Sequence, residues 1–299
     1  MALIRENFIE LEGSIQKVFD NYMQNKTDYL PMFFDIQKSS RSQENHFGLG
    51  SLGLMQEWDG QVNYQEFAKG YEKSYRHTKY SLGMTVEEAI LRFKEYGEIK
   101  KRANKLAYGV HKTLQTQGAS VFNNAFNSNF TGADGQSLCS ASHRIAPGDD
   151  AGTQSNTGTY EMTVDNIETI KRAGRQFKDD KGHIMDVNLN LIICGDYWEK
   201  TAKQICGSDK EPYTADNQKN IYKDELTYVV NPWITGKNWF IASPEVMKGG
   251  EGLNWFTARD PKKVEYTDDF DTEVGKYKSV GWWSFGWDVW HFIFGNQVS

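Results

Sequence analysis

Cysteine is scarce: Cys139, Cys194 and Cys206 are the whole complement, and an odd number cannot all pair within one chain. That scarcity fits reduced thiols in a cytosolic compartment and excludes a disulfide scaffold. Cys194 and Cys206 have no histidine near either, so zinc spacing is absent too. No run approaches the roughly 18 to 20 apolar residues that span a bilayer. Arg5, Glu6 and Asn7 interrupt the opening MALIRENFIELEGS before the apolar centre of a signal peptide can form. The expectation is a protein made and folded in a cytoplasm, with no membrane partner. A basic excess is missing as well, since the net charge is −6. Affinity for phosphate backbones comes mainly from Lys and Arg, so the acidic excess argues against tight nucleic-acid binding and disfavours a sequence reader. It allows a container that encloses nucleic acid without gripping it.

Signatures of catalysis are equally thin. There is no His-Glu-x-x-His, no Walker lysine and no Gly-x-Ser-x-Gly elbow. GLGSLG at residues 48–53 has the letters of a dinucleotide fingerprint. It follows SRSQENHF instead of a buried strand, however, and no helix opens after it, so it reads as a flexible loop. Cys139 and His143, in DGQSLCSASHR, could serve as nucleophile and base of a cysteine hydrolase. Triad partners usually converge from distant segments, so a structural turn is the better reading. EYTDDFDTE, from Glu265 to Glu273, reads as a solvated loop between strands and not as a cation site. No catalytic residue, cofactor or metal is expected, and the chain is not read as an enzyme.

Aromatic residues, in contrast, make up 14% of the chain, and seven of nine tryptophans lie between Trp233 and Trp290. Such clustering fits a well-filled core and is compatible with an interface. Hydrophobic content of 38% and charged content of 25% describe a globular chain, and 299 residues can bury a sizeable core. Residues 1–45 open with Phe8, Leu11, Ile15, Val18, Phe19 and Tyr22 at helical spacing, followed by Pro31 and the polar run IQKSSRSQEN. This predicts a short helix on an extended arm that rests on something other than its own body. Residues 46–84 are punctuated by Gly48, Gly50, Gly53, Gly60, Gly70 and Gly83 and contain YEKSYRHTKY, strand-prone but polar on both faces. A two-stranded ribbon of that kind is marginal alone in water, so it should lie on a neighbouring subunit.

From Thr85 to Phe126 the helical pattern is strongest. Thr85 and Glu88 form a capping box, and one face carries Val86, Ile90, Phe93, Ala103, Leu106, Val110, Leu114 and Val121. Unbroken, that helix would run about 60 Å, with Gly97, Gly109 and Gly118 as candidate kinks. Beyond it come a helix capped by Thr163, a strand at 187–194, a helix from about Tyr197 to Cys206, and strands at LTYVV, NWFIA and LNWFTA. A final pair of strands, from Val274 to Phe294, carries apolar groups on both faces and should be covered on both. The class is α+β, without internal repeats.

These segments, in this order, resemble the major capsid proteins of tailed phages, most closely the major head subunits of Mu-like phages and prophages. The resemblance is carried by FNNAFNSNFTGADGQSLCSASHR at 122–144, LIICGDYWEKTAKQI, VVNPWITGKNWFIAS and the ending WWSFGWDVWHFIFGN, and covers residues 50–296. It implies a Hong Kong 97-type fold: N-terminal arm (1–45), extended two-stranded loop (46–84), spine helix and peripheral domain (85–149), axial domain (150–250), and strands returning to the peripheral domain (251–299). It further implies a structural protein of the virion, assembled in the bacterial host cytoplasm. Copies would form hexamers and pentamers of an icosahedral shell around double-stranded DNA. A separate scaffolding protein, a portal and a decoration protein are the implied partners. An encapsulin-like nanocompartment shell is the alternative within the same fold. Trp58, Tyr64, Tyr71 and Tyr75 of the loop, with Phe8 and Leu11 of the arm, are the candidate inter-subunit contacts.

Overall fold

Apolar residues at helical spacing build α1 (Ala2–Gln24) at the start of the computed structural model, which describes residues 2–148, 152–210, 219–269 and 272–298. Phe8, Leu11, Ile15 and Phe19 of α1 are all buried, and Phe19 is 0% exposed. Pro31 enters the short α2 (Leu30–Phe33) in the first turn, where its missing N–H costs nothing. The polar run then supplies two strands, β1 (Asp35–Lys38) and β2 (Gln43–Leu49), and β3 (Lys69–Arg76) and β4 (Thr78–Glu87) follow. Two helices come next, α3 (Glu88–Arg92) and α4 (Tyr96–Asn123).

The expected capping box does not form. Thr85 lies in β4, and Glu87 precedes α3 without a side-chain cap bond. Lys94, at φ 54°, turns the chain between α3 and α4. The main helix therefore begins at Tyr96 and has 28 residues, about 42 Å long instead of 60. Gly97, Gly109 and Gly118 leave it uninterrupted.

Short strands β5 (His143–Arg144), β6 (Thr153–Gln154) and β7 (Thr157–Gly158) lead to α5 (Val164–Arg175), whose first turn is capped as expected: the Thr163 side chain accepts from Asn166 N at 3.3 Å. β8 (Leu191–Cys194), a 3₁₀ turn at Asp196–Trp198, α6 (Glu199–Gly207), β9 (Thr227–Val230), β10 (Trp239–Ala242) and α7 (Pro244–Met247) follow. The chain closes with β11 (Leu253–Arg259), β12 (Val264–Asp269), β13 (Val274–Trp287) and β14 (Ile293–Asn296). Much of the acidic run expected to be a loop is thus strand. Val264 and Tyr266 turn inward on β12 while Glu265 pairs with Arg259, which is period-two alternation.

Two five-stranded sheets carry the fold. In the first, β13 is the axis: β4 pairs antiparallel with it from Val274 to Trp283, β12 and then β11 line its other side, and β1 adds a parallel edge to β11. The second has the order β7-β14-β10-β8-β9. Its central strands are apolar on both faces because a core lies on each side. Ile193, Phe240 and Ile293 join the large core that contains α1 and α4, whereas Ile192, Ile241 and Phe294 join a second core with α5 and α6. Both-face burial is therefore met by β14, whereas β13 alternates over its first half, with Lys276 and Lys278 outward, and leaves Trp282 41% exposed.

The arm is the clearest correction. Helix α1 packs along α4 and β12 of its own chain. The Gln16 side chain donates to Lys262 O (3.0 Å) and accepts from Val264 N (2.8 Å), and the Tyr277 hydroxyl donates to Phe8 O at 2.8 Å. Each fully buried apolar side chain on this stripe contributes about 1.5–3 kcal/mol. The stripe that was expected to need a foreign surface is the one that fastens α1 at home.

Candidate interaction surface

Strands β2 and β3 pair antiparallel into a ribbon, and residues 50–68 form its tip without helix or strand. Near the tip the two chains cross at Gly48 and Gly70. A Cβ on Gly70 would stand 2.6 Å from the Gly48 carbonyl carbon, so the crossing needs glycine on both strands. Beyond it the tip is held by few bonds. Gly50 N donates to Ala68 O (2.8 Å), Gly53 N to Gln65 Oε1 (2.7 Å) and Ser51 N to Asp180 Oδ1 (2.8 Å). Its large side chains face out: Met55 is 100% exposed, Tyr64 89% and Trp58 69%, with Phe47, Leu49, Leu54, Val62 and Phe67 also exposed. A cluster of this size is what a soluble surface normally covers with a partner.

The root is built in the opposite way. Tyr75 is buried (3% exposed), and its hydroxyl donates to Asp288 Oδ1 at 2.5 Å. Burial, reinforced by the Asp288 charge, pushes the Tyr75 phenol well above its ordinary value, so it stays a neutral donor. His46 Nδ1 meets Asp288 Oδ2 at 2.6 Å, and Asn254 Nδ2 donates to the same oxygen at 3.1 Å. Tyr71 donates to Ala146 O at 2.8 Å, and Lys73 Nζ to Thr131 O at 2.6 Å. A cleft of about 410 Å³ separates the ribbon from the Arg144–Pro147 and Asp288–His291 segments.

The six candidate contacts therefore divide. Trp58 and Tyr64 stand exposed at the tip, and Tyr71 is engaged at the root. Tyr75, Phe8 and Leu11 are buried within their own chain and have little surface left to offer a neighbour, which removes them from the candidate contacts. Asp288, His46 and Asn254 were not foreseen. They sit 34 to 242 residues apart in sequence, and no local spacing links them.

Cys139 and His143 take structural places. Cys139 is 2% exposed, and burial pushes its thiol far up, the reverse of a nucleophile. His143 is fully buried. Its Nδ1 meets Asp134 Oδ2 at 2.5 Å and its Nε2 meets Asn156 Oδ1 at 3.1 Å, while its ring stacks on Trp290 at 4.4 Å. Asn156 donates to Leu138 O and Ile293 O, which leaves its oxygen to accept from Nε2. Both nitrogens are therefore committed. Among the described residues no three His, Cys, Asp or Glu side chains gather as a metal cluster, and no helix is long and apolar enough to cross a membrane.

A family model described as phage capsid protein matches residues 70–295 of this chain. The fold is similar to that of a capsid chain of bacteriophage JBD30, with a TM-score of 0.54 at 13% identity over 70% of this chain and 91% of that one. A chain from Microbacterium phage Oxtober96 gives 0.50 at 14% identity, covering 90% of each. A virus-like particle from Pyrococcus furiosus gives 0.54 at 8% identity, covering 96% of this chain and all of that one. No curated protein matches the sequence.

Proposed function

Given that the chain belongs to the phage capsid protein family and is a structural capsid protein, we propose that it is the major head subunit of a tailed-phage-like particle of the Mu-like group. The observation that carries this reading is the contrast within the ribbon: a root locked by Tyr75, His46 and Asp288 and a tip that leaves Met55, Trp58 and Tyr64 in water. A rigid stalk presenting uncovered aromatic groups suits a contact with a second copy of the chain. Trp and Tyr supply large contact area at low entropic cost.

On this reading the architecture is of the Hong Kong 97 type. Residues 46–84 hold the extended loop, α4 is the spine helix, 85–149 and 251–299 make the peripheral domain, and 150–250 the axial domain. The arm at 1–45 is then part of the body. Copies close into hexamers and pentamers around symmetry axes, and many modest contacts reinforce one another. The shell encloses double-stranded DNA without reading it, forms in the host cytoplasm with a separate scaffolding protein, and receives a portal. A JBD30 capsid of this fold is decorated with minor capsid protein trimers, which supports a decoration protein as a further partner. The Pyrococcus furiosus particle shares the fold alone, so the encapsulin-like alternative gains nothing specific from it. The subunit has no catalytic role: burial of Cys139 and the committed nitrogens of His143 argue against a hydrolase.

The test is removal of the tip. Cutting residues 50–80 would take Tyr75 and the start of β4 with it and would damage the fold. Replacing residues 51–67 by a short glycine turn spares both. The altered chain, expressed with its scaffold, should keep the unfolding midpoint of the intact subunit and form no shells in negative-stain microscopy. Normal shells from it would overturn the reading.

A further inference from the structure

The solvent face of α4 is basic in a chain that is acidic as a whole. The protein carries a net charge of −6, yet α4 holds five basic side chains (Lys100, Lys101, Arg102, Lys105 and Lys112) and one acidic one, Glu98. The buried side of the helix, from Ile99 to Phe122, lies in the core, so the pattern outside is set by geometry. Lys101, Lys105, Tyr108, Lys112 and Thr116 are all exposed at spacings of four, three, four and four residues, which is one straight stripe. Lys101 to Lys112 spans about 16 Å. Glu98 reaches Lys101 at 3.8 Å and Arg102 at 3.5 Å, but among the described residues no carboxylate comes within ion-pair distance of Lys100, Lys105 or Lys112. The lysines on the other sheet face differ. Lys276 and Lys278 flank the inward Tyr277, so they leave the sheet away from α4, and they pair with Asp269 and Glu265.

We propose that the α4 stripe is the surface with which this subunit meets the phosphate backbone of enclosed double-stranded DNA, an inference that rests on the shell reading above. Exposed cations along one straight helix face, with Lys105 and Lys112 outside ion-pair distance of any described carboxylate, complement a polyanion. They are mostly lysine, a mobile, strongly hydrated point charge, and they lack the rigid guanidinium fork that reads base edges. With about three phosphates met along the stripe and about one more within reach of the neighbouring Lys100, contact is weak and independent of sequence, as a polymer that must enter and leave requires. Repetition over the shell makes it matter, and it orients α4 toward the interior. A protein partner fits the stripe less well. Protein interfaces need a desolvated apolar centre, and Tyr108 is the one large apolar side chain in the row.

The test uses the full-length subunit and a fluorescently labelled duplex of random sequence, with poly-L-glutamate as a second probe. For the intact chain, log affinity for the duplex should fall against log salt with a slope of roughly −3 to −4, about 100-fold between 50 and 200 mM. The variant K100Q/K101Q/K105Q/K112Q should lose most of that slope and at least about tenfold in affinity at 50 mM, and still form shells with its scaffold. K105Q/K112Q should lower the slope by about two, and K276Q/K278Q should leave it unchanged. Circular dichroism confirms that each variant is folded. An unchanged duplex slope in the fourfold variant would overturn the proposal. So would tighter binding of poly-L-glutamate than of duplex, or loss of shells with duplex affinity intact, since either marks the stripe as a protein-binding face. If the intact chain forms no shells, the shell reading fails, and the duplex slopes still decide the stripe.

Discussion

Tyr75 and Asp288, 213 residues apart, share a 2.5 Å hydrogen bond at the point where the ribbon enters the body. The same carboxylate takes His46 from β2 and Asn254 from β11, so one acidic side chain ties both ribbon strands to the main sheet. Tyr75→Phe keeps the ring and removes the donor. It should cost about 1–3 kcal/mol in denaturant unfolding, because Asp288, its side chain only 14% exposed, is left with one partner fewer. Limited proteolysis should also cut the ribbon faster. A stability and cleavage rate equal to wild type would show that Asp288 is not the anchor.

The tip should behave in the opposite sense. Trp58→Ser with Tyr64→Ser removes exposed rings, so the unfolding free energy of the isolated subunit should move by less than about 0.5 kcal/mol. Assembly with scaffold, followed by sedimentation, should fall steeply. A stability loss without an assembly defect would place these rings against their own chain.

Phe19 tests the docked arm. It is 0% exposed in the core shared by α1 and α4, so Phe19→Ala should cost about 3–5 kcal/mol. An arm that rests on a neighbour would make the same substitution nearly silent in the free subunit and visible only in shells.

How much of this was legible follows from the range of each interaction. The Thr163 cap, the α5 and α6 helices and the closing strands are local patterns, and the sequence shows them directly. Phe8, Leu11, Ile15 and Phe19 were equally visible as a stripe, but a stripe does not name the surface that receives it; Gln16, Val264 and Tyr277 decide that from 248 to 269 residues away. Thr85 misled because a capping box is a local preference, and ten ladder positions along β13 outweigh it. The Asp288 node was invisible because its members share no period. At the tip the apolar residues were plain in the sequence. What could not be read was that a locked root holds them out.

His291 gives the molecule a pH dependence that can be worked out in sign. It lies in the Asp288–His291 segment, its ring 3.9 Å from that of Trp290. Burial, reinforced by nearby His143, brings its imidazole down to about 4, against the partial opposing pull of Asp134 and Asp179. An unfolded chain titrates this group near 6.5, so between about pH 6.5 and 4 the unfolded state binds the extra proton. The contribution to stability is present above pH 6.5 and is lost as pH falls toward 4, on the order of 3 kcal/mol in all. Urea unfolding at pH 7 and pH 4.5 should show this loss, and His291→Phe should flatten it while leaving the acid sensitivity of other groups. If the two proteins lose the same stability over that interval, His291 is not the group that couples folding to protons.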